Sequence, residues 1–326
     1  MPTDSNSGEW MRVVAVGAGA WGRNIVRNLA ELDALAGIAE RNAERRKELA
    51  AQYPDTTIHS NWREALAEAY DAVAIATPTT AHYEVAAAAL AAGKDVFVEK
   101  PVTPTAEQAR ALTDLAHRHG RILMIGHLLL YQPAVAWIRD HVADGAIGEL
   151  FSIRHERLNL GRARSMENVI WDIGVHDMAV MLYLVGEKPT RVRATGHRML
   201  GLPVEDEVHV HLEFGHHIRG NMHTSWLWPE TNRRTIVRGS RGMLVYDEVA
   251  QTVTQHHRWI DDQLQNHDGG CEVVFRGDGQ PLRLELQHFM ECVANRTPAR
   301  SDGDSAVAVI ETLERINTAV AESSRY

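Results

Sequence analysis

Three side chains in this sequence have the chemistry and the spacing to move a proton at a hydroxyl group. Lys100 follows the apolar residues 96–98 and precedes a proline. Asp172 and His176 are four residues apart, which puts both side chains on one face of a helix. An ammonium group can polarise an oxygen, an imidazole is a suitable base near neutral pH, and a carboxylate can orient that imidazole. Lys100, Asp172 and His176 are therefore the candidate catalytic residues.

Each of these residues also has a plain structural interpretation. Lysine side chains are mostly exposed, so composition alone favours a surface position for Lys100. Asp172 could be a helix N-cap, and His176 could be a core histidine with satisfied hydrogen bonds. The spacing by itself does not choose between these interpretations, and the elements that carry the residues must decide.

A glycine-rich turn near the start of the chain indicates a bound cofactor. The apolar residues 13–16 predict a strand that runs into a G-x-G-x-x-G sequence and then a helix over 24–31. The glycines permit a tight bend, close approach to a pyrophosphate and close packing of the helix on the strand, while helix amides face the phosphates. The predicted cofactor-binding residues here are Gly17, Gly19, Ala20, Trp21 and Gly22.

Glu40 lies where a dinucleotide-binding fold places the acid that binds the adenosine ribose. A carboxylate there accepts hydrogen bonds from the ribose hydroxyls and repels the extra phosphate of NADP. The alternative is a solvated charge at a strand end, with Arg41, Arg45 and Arg46 close enough to bind a phosphate. We predict NAD as the cofactor, with Glu40 and Arg41 among its ligands.

Strand and helix patterns predict an α/β protein with two domains. Strand-like runs near 11–16, 34–39, 72–76, 94–98 and 122–125 alternate with helical stretches, which predicts a doubly wound parallel sheet over residues 1–126. Residues 127–326 are predicted to form an α/β domain for substrate binding and oligomerisation. Its large, mostly antiparallel open sheet is predicted from runs near 148–158, 190–199, 206–214, 218–226, 233–238 and 242–247, with helices near 174–186, 283–295 and 303–321.

Composition argues against several classes of function. A net charge of -9 without a basic run disfavours binding to nucleic acid. Residues 1–10 lack the layout of a secretory signal, and no run reaches the roughly 20 apolar residues that span a bilayer. Cys271 and Cys292 are too few for a disulfide framework, and His209 and His211 have no companions at a familiar zinc spacing. We expect a cytoplasmic protein without a metal, nucleic acid partner or membrane association.

Taken together, four motifs resemble those of the Gfo/Idh/MocA oxidoreductase family. They are the glycine turn, Thr77-Pro78 with His82, Glu99-Lys100-Pro101, and Asp172-x-x-x-His176. The resemblance implies hydride transfer to NAD from a secondary alcohol of a sugar, a cyclitol or a nucleotide-linked sugar. It also implies catalytic roles for Lys100, Asp172 and His176. Cofactor contacts are implied for Thr77, Pro78, His82, Glu99 and Lys100, and packing of the second sheet against a partner subunit implies a homodimer or homotetramer.

Within the family, residues 168–177, 225–227 and 239–242 are most similar to the nucleotide-sugar 3-dehydrogenases. The implied reaction is oxidation of the C3 hydroxyl of a UDP-linked amino sugar, UDP-N-acetylglucosamine. Its 3-keto product would serve later amination, in the synthesis of lipid A or another cell-surface glycan precursor. The diphosphate of such a substrate needs cationic ligands, and the guanidinium group of an arginine can donate two hydrogen bonds to phosphate oxygens at once. The predicted substrate-binding residues are Arg157, Asn159, Arg164 and Asn168, together with Lys100, Asp172 and His176.

Other interpretations stay open for the same residues. The arginines could belong to a solvated loop in which they pair with Glu156 and Glu167. The protein could be a dehydrogenase of a free sugar or inositol, which would have less use for an arginine-rich segment. It could also be a non-catalytic, NAD-binding sugar sensor, although the presence of both Lys100 and His176 favours an enzyme.

Overall fold

A computed structural model describes residues 11–277 and 279–323 of the chain. They form two compact units. One contains the described residues up to Gly126 together with Leu282–Asp304, and the other contains His127–Pro281 and the described residues from Ser305 onward.

The first unit includes a late segment that the predicted division at residue 126 assigned to the second domain. In this segment the Phe289 ring lies 5.9 Å from that of Phe97. The Ser301 hydroxyl donates a hydrogen bond to the carbonyl of Ile125 at 2.6 Å. An apolar helix face is buried wherever it finds an apolar partner, and the order of elements along the chain does not specify which sheet that is.

The first unit contains a parallel sheet whose strands are ordered β3-β2-β1-β4-β5-β6 among the described residues. β1, β4 and β5 are buried along their whole length and consist largely of Val, Ala, Ile and Phe, as is typical of strands covered on both faces. The strands are β1 (Val13–Val16), β2 (Leu35–Ala39), β3 (Thr57–His59), β4 (Ala72–Ile75), β5 (Asp95–Glu99) and β6 (Leu123–Gly126). The helices between them are α1 (Gly22–Glu31), α2 (Ala43–Gln52), α3 (Trp62–Leu66), α4 (Thr79–Ala91) and α5 (Ala106–His119).

The second unit contains a mixed sheet in which most neighbouring strands are antiparallel. Its order is β14-β13-β12-β11-β7-β10-β9-β8, and β10 pairs with β7 in parallel. The strands are β7 (Leu150–Leu160), β8 (Arg191–His197), β9 (Glu207–Glu213), β10 (Arg219–Ser225), β11 (Leu227–Gly239), β12 (Gly242–Asp247), β13 (Thr252–Ile260) and β14 (Asn266–Arg276). The remaining helices are α6 (Pro133–Ala143), α7 (Val175–Val185), α8 (Pro281–Asn295), which lies mainly in the first unit, and α9 (Gly303–Ser323).

The two faces of the second sheet differ in chemistry. On β9, Val208, Val210 and Leu212 are buried, whereas Glu207 and His209 on the opposite face are half-buried. This alternation is typical of an antiparallel strand with one face packed on a core. A Cβ atom placed on Gly196 of β8 would lie 2.8 Å from the Val320 side chain, so α9 covers the apolar face.

The α/β fold class predicted from the sequence is confirmed: a parallel Rossmann sheet and a large, mostly antiparallel sheet. In the part of the chain that the structure describes, no helix has both the length and the apolar composition needed to cross a bilayer.

Candidate active site

The glycine turn between β1 and α1 has the geometry of a phosphate cradle. Gly17 has φ +90°, which favours glycine. A Cβ atom on Gly22 would lie 2.1 Å from the Gly17 carbonyl oxygen, so close packing of α1 requires glycine there. A Cβ atom on Gly19 would have no neighbour within 4 Å. The packing of the protein therefore does not explain Gly19, whereas close approach of a pyrophosphate to the backbone does.

The Glu40 carboxylate connects the end of β2 to the glycine turn. It accepts hydrogen bonds from the backbone amides of Ala18 and Asn42, both at 2.9 Å, and from the Arg45 guanidinium at 3.1 Å. Burial raises the pKa of Glu40, but these hydrogen bonds and the charge of Arg45 hold it below its ordinary value. Glu40 is therefore an anion fixed beside the turn, as a ribose-binding acid must be, and it is not a solvated charge at a strand end.

The three arginines that follow Glu40 in the sequence differ in their contacts and in their exposure. Arg46 donates to the carbonyl oxygens of Glu40 and Arg41 at 2.9 and 2.8 Å. The side chain of Arg41 is exposed. Arg41 is thus accessible to a ligand, while Arg45 pairs with the carboxylate that would face the ribose.

Thr77 and Pro78 follow β4, where its carboxyl end meets that of β1. The Thr77 hydroxyl is buried and has no hydrogen-bond partner among the described residues. A buried hydroxyl without a partner is unfavourable in a folded protein, because it has lost its water without replacement. It fits a ligand group that binds at this edge of the sheet, where open α/β folds place their cofactors.

His82 is buried and its two ring nitrogens both contact backbone carbonyls. It is 1% exposed, with Nε2 2.8 Å from the Thr77 carbonyl oxygen and Nδ1 2.9 Å from that of Pro101. The imidazole therefore connects two loops of the first unit, one carrying Thr77 and the other carrying Lys100. These contacts give His82 a role in positioning the two loops, and its direct contact with the cofactor stays a prediction.

Glu99, at the end of β5, is surrounded by groups from the predicted cofactor site. It accepts a hydrogen bond from the indole of Trp21 in the glycine turn and another from the Lys100 amide at 3.2 Å. Burial raises the pKa of Glu99 to about 7, although these hydrogen bonds and the charge of Lys100 act against that shift. Lys100 itself is half-buried, so it is not the freely solvated lysine that composition favours.

Glu285 on α8 is a second buried acid of the first unit, and the sequence analysis missed it. It is 0% exposed, and neither carboxylate oxygen has a hydrogen-bond partner among the described residues. Burial raises its pKa well above the ordinary value, and the negative charge of Glu99 adds to the shift. The sequence did contain a signal: Glu285 lies between Leu284 and Leu286 in a helical stretch. Two leucines beside an acid are unusual on an exposed, charged helix face, and they indicate that the acid is buried.

We expect Glu285→Gln to stabilise the protein at pH 8 and to have little effect near pH 5. Because the folded-state pKa of Glu285 is raised, the folded protein keeps this carboxyl neutral at pH values where the unfolded chain ionises it. Stability is therefore lost as the pH rises from the ordinary value of 4.5 towards the folded pKa. Over that interval, one such group lowers the free energy of unfolding by about 1.4 kcal/mol for each unit by which the pH rises.

Thermal unfolding of the parent and the variant at both pH values measures this effect. Glu291→Gln is the matched control, since Glu291 is exposed on the same helix. Equal differences in melting temperature between parent and Glu285→Gln at pH 5 and pH 8 would contradict the assignment.

In the second unit, Asp172 lies in a π-helical turn, Ile170–Gly174, that leads directly into α7. One of its carboxylate oxygens accepts a hydrogen bond from the Trp226 indole at 3.1 Å, and the other is 3.5 Å from the Arg164 guanidinium. The backbone amide of Asp172 donates to the Asn168 carbonyl, so Asp172 is inside the helical segment. The N-cap interpretation is therefore wrong. π turns inside helices occur frequently at functional sites.

His176 lies on the first turn of α7 and is half-buried. Asp172 is also half-buried, and its side chain is 16% exposed. Both residues are thus partly open to solvent, unlike their buried neighbours Gly174 and Val175, although Nδ1 of the His176 ring is itself buried. A substrate hydroxyl needs such access to a base.

Asn168, one of the residues predicted to bind substrate, has internal hydrogen-bond partners. The Asn168 amide donates to Glu205 and Asn317, both at 3.1 Å, and its side-chain oxygen accepts from the Trp171 amide at 3.3 Å. Asn168 therefore anchors the start of the π turn. Its contact with substrate stays a prediction.

The Arg157 guanidinium lies between two acids and is 8% exposed. Its Nη2 is 2.8 Å from Asp177 on α7 and 2.8 Å from Glu248 after β12. Burial opposes its charge, but the two carboxylates hold the pKa of Arg157 above its ordinary value. Arg157 thus connects the helix to the sheet as a buried arginine paired with two acids, and its contact with substrate stays a prediction.

Asn159 and Arg164 are the predicted substrate ligands that remain accessible. Asn159 is half-buried near the end of β7, and the Arg164 side chain is 44% exposed. The alternative pairing with Glu156 holds for Arg154, whose guanidinium is 2.6 Å from that carboxylate.

Trp226 contacts Asp172 although the sequence analysis gave it no role, since only the fold brings the end of β10 to the π turn.

Two sequence models of known families match this chain. The model for an oxidoreductase family with an NAD-binding Rossmann fold matches residues 11–127, and the model for the GFO/IDH/MocA C-terminal domain matches residues 135–245. Together they match more than half of the sequence. The chain belongs to the Gfo/Idh/MocA family. It is an NAD-dependent oxidoreductase, which confirms the predicted enzyme class and cofactor.

Two curated relatives within the Gfo/Idh/MocA family differ in substrate. A UDP-N-acetylglucosamine 3-dehydrogenase from Acidithiobacillus ferrooxidans is 29% identical over 95% of this chain and 97% of its own length. A scyllo-inositol 2-dehydrogenase (NAD(+)) from Bacillus subtilis is 28% identical over 73% of this chain and 72% of its own.

Solved structures of the Gfo/Idh/MocA type match both units of the chain. The structure of UDP-N-acetylglucosamine 3-dehydrogenase GnnA from Acidithiobacillus ferrooxidans has a TM-score of 0.84 at 29% identity, covering 95% of this chain and 97% of that one. The likeness therefore extends over nearly the full length of both proteins.

Proposed function

We propose that this protein oxidises the C3 hydroxyl of a UDP-linked amino sugar, UDP-N-acetylglucosamine, with NAD as the electron acceptor. The observation that carries the proposal is the 29% identity to a UDP-N-acetylglucosamine 3-dehydrogenase over almost the whole of both chains. The half-buried Asp172 and His176 support it, because they offer an acid and a base to a hydroxyl group. The product is a 3-keto sugar for later amination in the synthesis of lipid A or another cell-surface glycan precursor.

In this mechanism the substrate loses a hydride from C3 and a proton from its hydroxyl oxygen. His176 takes the proton, because an imidazole is a competent base near neutral pH. NAD+ supplies the two-electron acceptor for the hydride. As the carbon–hydrogen and oxygen–hydrogen bonds break, the carbon–oxygen double bond forms.

Lys100 and Asp172 support these two transfers. The Lys100 ammonium donates to the substrate oxygen and stabilises the negative charge that develops on it. Asp172 orients the hydroxyl and the imidazole, and its own position is fixed by the Trp226 indole. Arg164 and Asn159 bind the diphosphate of the nucleotide, since both side chains are accessible.

The cofactor contacts belong to the same proposal. The glycine turn, with Gly17, Gly19, Ala20, Trp21 and Gly22, holds the pyrophosphate, and Glu40 binds the ribose beside the exposed Arg41. Thr77, Pro78, Glu99 and Lys100 face the nicotinamide end. We further propose that the protein acts in the cytoplasm as a homodimer or homotetramer that binds neither nucleic acid nor a membrane.

A substrate panel tests the proposed specificity. The protein is mixed with NAD and, in separate reactions, with UDP-N-acetylglucosamine, free N-acetylglucosamine or scyllo-inositol, and absorbance of the reduced nicotinamide is followed. We expect reduction with the UDP-sugar and a kcat/KM at least about a hundredfold lower with the free sugar, because the diphosphate contacts are lost. Reduction with the inositol and none with the UDP-sugar would overturn the substrate assignment, and binding without any reduction would indicate a sensor.

A further inference from the structure

Strands β9 and β10 bring histidine and glutamate side chains together on one face of the second sheet. In the antiparallel pairing of β9 with β10, His209 is directly opposite His223, and Glu207 is opposite Ser225. Residues opposite each other in such a pair have side chains on the same face, with Cβ atoms about 4.5–5.5 Å apart. Glu207 and His223 lie on consecutive strands joined by a turn, and only the pairing of β9 with β10 brings them together, so the metal-ligand spacings considered in the sequence analysis could not detect this group.

The ligand-type atoms of Glu207, His209 and His223 lie close together. One Glu207 carboxylate oxygen is 3.1 Å from Nε2 of His209 and 3.0 Å from Nε2 of His223. The two imidazole rings stack with their centroids 4.0 Å apart. One ligand-type atom from each of the three residues lies within 4.8 Å of the others, and all three side chains are half-buried.

These separations are close to those of a tetrahedral metal centre. With bonds of about 2.0–2.1 Å from zinc to nitrogen or oxygen, two ligand atoms lie about 3.3–3.4 Å apart. Metal entry would thus require the carboxylate oxygen to move away from the two Nε2 atoms by a few tenths of an ångström, and the stacked rings to turn so that both lone pairs point at the ion. We propose that Glu207, His209 and His223 form a binding site for a divalent transition-metal ion, with Zn²⁺ as the expected ion.

The chemistry of the donor set favours zinc over calcium or magnesium. Imidazole nitrogen suits Zn²⁺ and its transition-metal neighbours, whereas Ca²⁺ and Mg²⁺ select oxygen ligands. Binding requires each imidazole to present its Nε2 lone pair, so the two Nε2 contacts with Glu207 are exchanged for bonds to the metal. Three protein ligands leave a fourth position for water or an added ligand.

Neighbouring side chains hold two of the three ligands in place. The Ser225 hydroxyl donates to the second carboxylate oxygen of Glu207 at 3.1 Å, which orients the first oxygen towards the imidazoles. The Trp228 ring packs edge-on against His223, with centroids 5.6 Å apart. Such supporting contacts are typical of metal sites, where loss of one weakens metal affinity about 10- to 100-fold.

The proposed metal site is on the opposite face of β10 from Asp172 and α7. Thr224, the neighbour of His223, is fully buried, and its hydroxyl would lie 3.4 Å from a Cβ atom placed on Gly174 of the π turn. Since successive side chains of a strand point to opposite faces, His223 points away from the π turn. Metal binding is therefore expected to connect strands β9 and β10 without taking part in hydride transfer.

Cobalt and zinc binding to the full-length protein without a histidine tag tests the proposal. After removal of metal with a chelator, we expect one equivalent of Co²⁺ to give the intense visible bands of a tetrahedral centre, and Zn²⁺ to displace it. His209→Gln and His223→Gln should each abolish these bands and the stoichiometric binding of Zn²⁺ in equilibrium dialysis. Ser225→Ala should weaken Zn²⁺ binding about tenfold.

His211→Gln is the matched control, because His211 lies on the same face of β9 and is exposed, with its ring nitrogen 2.7 Å from Asn221. This variant should bind Co²⁺ and Zn²⁺ as the parent does, and NAD affinity reports whether each variant is folded. The proposal is overturned if the parent takes up no equivalent of Zn²⁺, or if the His209 and His223 variants bind it as tightly as the parent and the His211 variant.

Discussion

His176→Ala is expected to lower kcat by about two to four orders of magnitude, the contribution that a positioned general base makes. The affinity for NAD should stay within about twofold of the parent, because His176 belongs to the second unit and the glycine turn, Glu40 and Thr77 all belong to the first. Lys100→Met should lower kcat to a similar degree. The methionine side chain is similar in shape to that of lysine, but it has no charge to stabilise the substrate oxygen in the transition state.

Steady-state kinetics with UDP-N-acetylglucosamine and titration of NAD by fluorescence measure the two effects separately. Added imidazole should restore part of the activity of His176→Ala, since a small base can occupy the space that the side chain leaves, and it should not restore Lys100→Met. Lys47→Met is the control, because Lys47 is exposed on α2. Full activity of His176→Ala would remove His176 from the role of base.

Glu40→Gln is expected to reduce the preference for NAD over NADP by at least about tenfold in kcat/KM. The amide oxygen can still accept the hydrogen bond from Ala18 that supports the glycine turn, whereas the bond from Asn42, which goes to the other carboxylate oxygen, is lost. What it lacks is the charge that repels the 2′-phosphate of NADP. Like charges placed together in a binding site cost several kcal/mol, and about 1.4 kcal/mol corresponds to a factor of ten.

The ratio of kcat/KM values for NAD and NADP, measured with one sugar substrate, tests this prediction. Glu44→Gln makes the same change in net charge on the exposed side of α2, and its cofactor preference should equal that of the parent. An unchanged ratio in Glu40→Gln would refute the assignment of Glu40 as the ribose-binding acid.

The sequence predicted those parts of the fold that have local signals. The apolar runs of β1, β4 and β5 and the glycine turn were placed within one or two residues of their observed bounds, because buried parallel strands are continuous apolar runs. β3, β13 and β14 were not predicted. They are short or rich in polar residues, and they are specified by pairing with neighbouring strands more than by their own composition.

In the candidate site too, the sequence predicted the local motifs and not the contacts between residues that are distant in the chain. The spacing of Asp172 and His176 and the motif around Lys100 could be recognised in the sequence. The partners of Arg157, Asn168 and His82 could not, because Asp177, Glu248, Asn317 and Pro101 are brought to them by the fold. Residue type alone predicted Arg157 as a phosphate ligand, and it could not show that the fold buries this side chain between two acids.

The origin of the transferred hydride is the most direct test of the proposed reaction. UDP-N-acetylglucosamine carrying deuterium at C3 is incubated with NAD and the protein, and the mass of the reduced cofactor is determined. We predict that the deuterium appears in the reduced cofactor, and that substrate labelled at C4 instead gives an unlabelled cofactor. Reduced cofactor without deuterium from the C3-labelled sugar would contradict oxidation at C3, and with it the proposed function.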